Sequence, residues 1–229
     1  MTAKNLHAQL EEARRKTREA EALRMNLRKR KAQARGREAA ETEAAIRIVL
    51  DFWFAGPPGE FRKAWFAKDD AFDAECRAKL GPLAERAAKG ELKSWLDTEE
   101  GSLALILLLD QAPRNLHRGT AQAFATDAMA LAAARATVAK GFDRALDPAA
   151  RMFVYLPYEH AEDMVAQDEA CALMEALPET PWRANVVDYA HRHRAVIAEF
   201  GRFPHRNAIL GRESTEAEKA YLARPGAGF

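Results

Sequence analysis

Asp110, Gln111, Arg114 and Asn115 follow directly on the most apolar run of the chain, Leu103 to Leu109, with Pro113 set among them. An interior that receives a carboxylate, an amide and a guanidinium must pair or solvate each of them, so this junction is a candidate site. A second Arg–Asn pair, Arg206-Asn207, follows Pro204 as Arg114-Asn115 follows Pro113. Guanidinium forks behind two such chain reversals suit a carboxylate or a phosphate. His160 is the candidate general acid or base, because imidazole alone among ordinary side chains changes charge near neutral pH. The expected ligand-binding set is Asp110, Arg114, Asn115, Gln167, His193, His205, Arg206 and Asn207.

Two structural readings compete with this. In one, Arg114 and Arg206 tie helical hairpins together through Asp110, Glu159, Glu162 or Asp163; in the other, His160 and His193 are core histidines satisfied by a backbone carbonyl or by Asp110. His160, His193 and His205 lack the HExxH or paired ExxH spacing of helical metal sites, so no metal is expected. Walker, GxGxxG and GxSxG motifs are absent, and no cofactor is expected.

The elements that must position these residues read as helices throughout. Ile46, Val49, Leu50, Trp53 and Phe54 recur at helical spacing behind Thr42, an expected N-cap, and Gly56-Pro57-Pro58-Gly59 ends that helix. Asp69 or Asp70 starts the next, which runs to Gly81-Pro82 with a shorter helix beyond, to Ala88. Leu103 to Leu109 forms a buried helix that Pro113 bends or ends. Thr126 caps an alanine-rich helix closed by Gly141, and Asp147-Pro148 opens another. Pro157 interrupts, and a helix is expected from Tyr158 to Leu177 that places His160 and Gln167 in one stripe with Met164, Cys171 and Met174. Thr180-Pro181 opens a helix with Val186, Ala190, His193, Ile197 and Phe200 on one face, stopped by Gly201, and Ser214 starts a last one to Leu222. No stretch keeps a period of two, so the expected fold is all-α, an antiparallel array of helical hairpins.

The overall charge of +1 hides an asymmetry. Residues 1–37 hold 12 Lys or Arg against 4 Glu, leaving 23 basic and 30 acidic residues for the rest. The reading is a basic helical arm over 1–40, a globular domain over 41–224 and a disordered tail over 225–229. Within the arm, Leu6, Leu10, Ala13, Thr17, Ala20 and Leu27 make only a thin stripe. Arg24, Arg28, Lys29, Arg30, Lys31, Arg35 and Arg37 have no acidic residue among them, a composition that suits a polyanion. Cys76 and Cys171 lie far apart without CxxC spacing, and no apolar run approaches the roughly 20 residues of a membrane span. Reduced thiols and a cytoplasmic location are expected, without a transmembrane segment.

Three segments together resemble the bacterial family called domain of unknown function 924, from about Val49 to Leu222. They are Asp110-Gln111-Ala112-Pro113-Arg114-Asn115 continuing through Arg118-Gly119-Thr120 to Ala123-Phe124 and Asp127; Tyr155-Leu156-Pro157-Tyr158-Glu159-His160-Ala161-Glu162-Asp163 with Gln167; and His193-Arg194, Phe200-Gly201-Arg202-Phe203-Pro204-His205-Arg206-Asn207 and Leu210-Gly211-Arg212-Glu213-Ser214-Thr215. Ala161 stands where the resemblance leads one to expect Ser. The resemblance implies a helical-hairpin fold of the tetratricopeptide-like superfamily and no established activity. The functional expectation is a pocket for a small anionic or peptide-like ligand. The alternatives are an enzyme using His160 on an Arg-bound substrate, and a nucleic-acid or ribosome contact through the arm.

Overall fold

The computed structural model describes residues 3–57 and 60–228, with side chains described for Glu12 and from Arg24 onward; Met1, Thr2, Pro58, Gly59 and Phe229 lie outside the described residues. The thin stripe from Leu6 to Ala20 therefore falls outside the described side chains, while Leu27 is exposed. Among the described residues the chain is helical without a strand. It divides into two compact units, Met1–Ala44 and Ala45–Phe229.

Helix α1 runs over Ala3–Trp53 without a break at Thr42. The expected N-cap there is corrected: Glu38 to Ala45 is rich in Ala and Glu, whose helix propensity leaves no reason to stop. α2, Asp70–Ala88, starts at Asp69, whose carboxylate accepts from the amides of Ala71 and Phe72, and it continues through Pro82 as one helix where two were expected. α3, Glu99–Ile106, is capped by Thr98. A π-helical turn, Leu107–Gln111, joins it to α4, Ala112–Leu116. α5 is Asp127–Ala139, α6 Pro148–Glu159, α7 Met164–Glu175, α8 Arg183–Phe200 and α9 Glu216–Leu222.

Leu103 to Leu109 is buried on every side, which marks this helix as the one the second unit wraps. α2, α5 and α6 pack against it and its π turn, and α6, α7 and α8 pack in succession. Val186, Ala190, His193 and Ile197 form the buried face of α8, and Gly201 ends it at a φ of 70° that a Cβ would resist. α8 starts at Arg183, two residues beyond the expected Thr180-Pro181 start, with Trp182 as its N-cap, and Thr215 with Glu218, not Ser214, caps α9 in a reciprocal capping box.

The expected long helix from Tyr158 to Leu177 is the correction with most consequence. α6 passes through Pro157 and ends at Glu159, and α7 begins only at Met164, after Asp163 whose carboxylate accepts from the amide of Ala166. Gln167 Nε2 donates to the carbonyls of Glu159 and Ala161, satisfying acceptors that the end of α6 leaves open. His160 consequently sits in a turn, outside the stripe of Met164, Cys171 and Met174.

Candidate acid–base site

The π turn is where the apolar helix delivers its carboxylate. The carbonyl of Leu107 accepts from the amide of Ala112, one residue further along than in an α-helix. Such widened turns recur at functional sites. Pro113 has no N–H for the carbonyl of Leu109, and Thr126 Oγ1 donates to that carbonyl instead, at 2.5 Å. This explains why Thr126, at the start of α5, makes no cap bond with its side chain.

Asp110 is fully buried. Its Oδ1 lies 2.7 Å from His160 Nδ1 and 3.2 Å from Arg114 Nη1, and its Oδ2 accepts from Gln111 Nε2 at 2.5 Å. Burial pushes the carboxyl up, but Arg114, His160 and Gln111 outweigh it and hold it well below the usual range. The carboxylate is ionised and orients the ring, which places the proton on Nδ1. Burial first and Arg114 second keep His160 below its usual pKa, against the pull of Asp110 and Asp127. Its side chain retains 15% exposure, and Nε2 has no hydrogen-bond partner among the described residues. The arrangement can accept a proton at Nε2 at neutral pH.

Arg114 is held by two aspartates. Nη1 donates to the carbonyl of Asp110 at 2.6 Å and to Asp127 Oδ1 at 2.9 Å, and Nη2 donates to Asp127 Oδ2 at 3.1 Å. Of the two readings of Arg114, the crosslink is the one the geometry fits, with Asp127 as the main partner. Arg206 differs. Its guanidinium carbon lies over the rings of Phe124 and Phe203, 4.6 and 4.5 Å from their centroids, and Nη1 donates to Asp127 Oδ2 at 3.3 Å. Nε is buried without a partner. Burial and then Arg114 draw this guanidinium down to about 10, so it stays charged at neutral pH.

A second carboxylate–imidazole contact lies beside the first. His193 Nδ1 is 2.9 Å from Glu159 Oε1 and 2.8 Å from the carbonyl of Tyr189, and the rings of His160 and His193 are 6.3 Å apart. His205 joins the group across Phe203, 5.6 Å between rings, and burial, Arg206 and His193 push it down to about 4. Glu162, in the turn that holds His160, accepts from the amide of Phe203 at 2.8 Å and from both terminal nitrogens of Arg212 at 2.6 and 2.9 Å. That bolts the His160 turn to the segment bearing Arg206.

Asp110, Arg114, His160, His193, His205 and Arg206 thus come together, and Gln167 supports them through the turn. Asn115 and Asn207 do not join. Asn115 bonds the carbonyl of Gln111 and accepts from Arg118, which is clamped on Asp73; Asn207 donates to Ser214. Asn115 and Asn207 follow their arginines on helical backbone, where neighbouring side chains point in different directions. Asp127, Phe124, Phe203 and Arg212 were missing from the expected site, although all four lie in the resembling segments. Among the described residues no three His, Cys, Asp or Glu side chains converge as a metal ion requires. Cys76 and Cys171 are free and buried, and burial raises both thiols, Cys76 to about 12.

In the first unit, Arg24, Arg28, Lys29, Arg30, Lys31, Arg35 and Arg37 are all exposed on α1. No helix among the described residues is long and apolar enough to cross a membrane.

A solved structure of a protein of unknown function from Agrobacterium tumefaciens superposes with a TM-score of 0.72 at 44% identity, over 80% of this chain and 98% of that one. No curated protein matches the chain. Residues 49–226 match the family described as bacterial protein of unknown function (DUF924), a span that takes in every residue of the Asp110–His160–Arg206 cluster, and the chain belongs to that family.

Proposed function

We propose that this protein is an acid–base enzyme acting on a small anionic substrate, with His160 as general base, Asp110 as the carboxylate that fixes its tautomer and Arg206 as the ligand arm. The observation that carries the reading is the 2.7 Å contact between buried Asp110 Oδ1 and His160 Nδ1, which leaves Nε2 to take a proton. A site for binding alone gains little from a neutral imidazole pinned by a buried carboxylate, and Arg114, the expected ligand contact, is spent on two aspartates. The tetratricopeptide-like relationship and a cytoplasmic location belong to the same proposal. They are supported by the successive packing of α6, α7 and α8 and by two buried free thiols.

The test is a thermal-shift screen of small anionic esters, amides and hydroxy acids, with product analysis for each hit. His160→Gln is expected to lower turnover by about 10² to 10⁴-fold while the hit still binds. Hits that bind through Arg206 and leave chemically unchanged from the wild type would return the protein to the binding modules.

The arm supports a second, separate activity. Arg24, Arg28, Lys31 and Arg35 are spaced by four, three and four, so they share one exposed face of α1. The full chain is expected to bind duplex nucleic acid with an affinity that falls steeply with salt, by about 0.9 in log–log slope per phosphate neutralised. Replacing these four residues by Gln should flatten that slope; an unchanged slope would remove the arm from the account.

A further inference from the structure

We infer that the ligand of this site carries a single carboxylate, taken by the Nε and Nη2 edge of Arg206, in preference to a phosphate. The inference deepens the preceding reading and rests on its use of Arg206 as the ligand arm.

Arg206 is only 6% exposed, yet its one hydrogen bond among the described residues is the long contact from Nη1 to Asp127. A buried guanidinium with an unpartnered Nε is costly unless an acceptor arrives. The N–H bonds of a guanidinium lie in its plane, so an acceptor must approach in that plane, and the neighbouring Phe124 and Phe203 rings, 4.6 and 4.5 Å from the guanidinium carbon, offer it no conventional acceptor. With Nη1 turned to Asp127, the Nε–Nη2 edge is what the plane offers. Two parallel N–H groups on that edge match the two oxygens of a carboxylate.

Charge points the same way. Asp110 and Asp127 balance Arg114 and Arg206, Glu162 is matched by Arg212, and Glu159 adds a further carboxylate against His193. Among these described groups no cation is left in surplus. A phosphate monoester brings about −1.5 to −2 at pH 7 and a third oxygen for which this edge has no donor. A carboxylate brings one charge and two acceptors. The site accepts the smaller charge at the smaller electrostatic cost.

The experiment titrates the full chain with sodium benzoate and N-acetylglycine, and in parallel with inorganic phosphate and methylphosphonate, at matched ionic strength and about pH 8, where the phosphate is dianionic. Calorimetry and melting temperature are both read. Saturable binding of a carboxylate, with phosphate weaker by at least about tenfold, is the expected result. Arg206→Gln should abolish it. Arg206→Lys keeps the charge but loses the fork, and is expected to fold and to bind about tenfold more weakly. Tighter binding of phosphate, equal binding by Arg206→Lys, or no saturation by either series overturns the inference. Turnover is not read here, so a failed His160→Gln test and a failed carboxylate test remain distinct results.

Discussion

Arg114→Ala is expected to destabilise the second unit by about 3–5 kcal/mol, the usual cost of stripping one partner from a buried ion pair. In a unit of this size that is a fall in melting temperature on the order of 10 °C. The size follows from what is stranded. Asp110 is fully buried and Asp127 half-buried, and both lose guanidinium contacts. Asp127 keeps only the longer contact to Arg206, and Asp110 keeps His160 and Gln111. Chemical denaturation of the wild type, Arg114→Ala and Arg114→Lys measures the effect, with Lys restoring part of the charge and none of the fork. A loss below about 1 kcal/mol would place Arg114 among the weak surface pairs and return it to the ligand. The variant should also let the pKa of His160 rise, since Arg114 is one of the two causes that hold it down.

Asp110→Asn is expected to lower turnover on any substrate the screen yields by about 10⁴-fold, the loss seen when a triad aspartate becomes an amide and the imidazole takes the wrong tautomer. The Asn side chain can present an N–H to Nδ1, which moves the ring proton to Nε2 and occupies the atom meant to act as base. Substrate affinity should change far less than turnover. The pH profile separates this from simple loss of structure. In the wild type the base works in its neutral form, so the rate is flat near neutrality and falls as pH drops through a midpoint below the ordinary 6.5. Asp110 favours the imidazolium, so removing it moves that midpoint lower still. A midpoint that stays put, or moves up, would argue that the two groups are not coupled. The same lowered pKa acts on stability: the unfolded chain binds the proton near 6.5 and the folded chain only below it. The contribution of His160 is therefore present above about pH 6.5 and is lost as pH falls toward the folded value.

The two outermost members of the site, Asp110 and Arg206, are 96 positions apart, and what could be read in the sequence was their chemistry but not all their partners. Periodicity and cap residues determined the helical class: apolar spacing on α8, Asp69 and Asp147 as N-caps, Gly141 and Gly201 in the left-handed region as helix ends. These are local preferences, expressed by neighbours a few residues away. The junction of Leu109 with Asp110 was likewise legible, because a charge beside a buried run must be paired wherever the chain goes.

The remainder depended on contacts between helices distant in the chain. Pro157 and Pro82 read as breaks but sit inside α6 and α2, because packing of the surrounding helix outweighs the one hydrogen bond that each forfeits. His160 leaves its expected stripe because Asp163 and Gln167 close a turn ahead of it, and that turn brings its ring to Asp110, 50 residues away. Arg114 and Arg206 look alike in sequence, each followed by Asn and one or two residues after a Pro, yet one is held by two aspartates and the other by a single long contact. The difference lies in Asp127, a single carboxylate that gives Arg114 two contacts and Arg206 one. Spacing along a chain cannot apportion a carboxylate between two guanidiniums, because that division depends on distances set by helices that meet only when the unit folds.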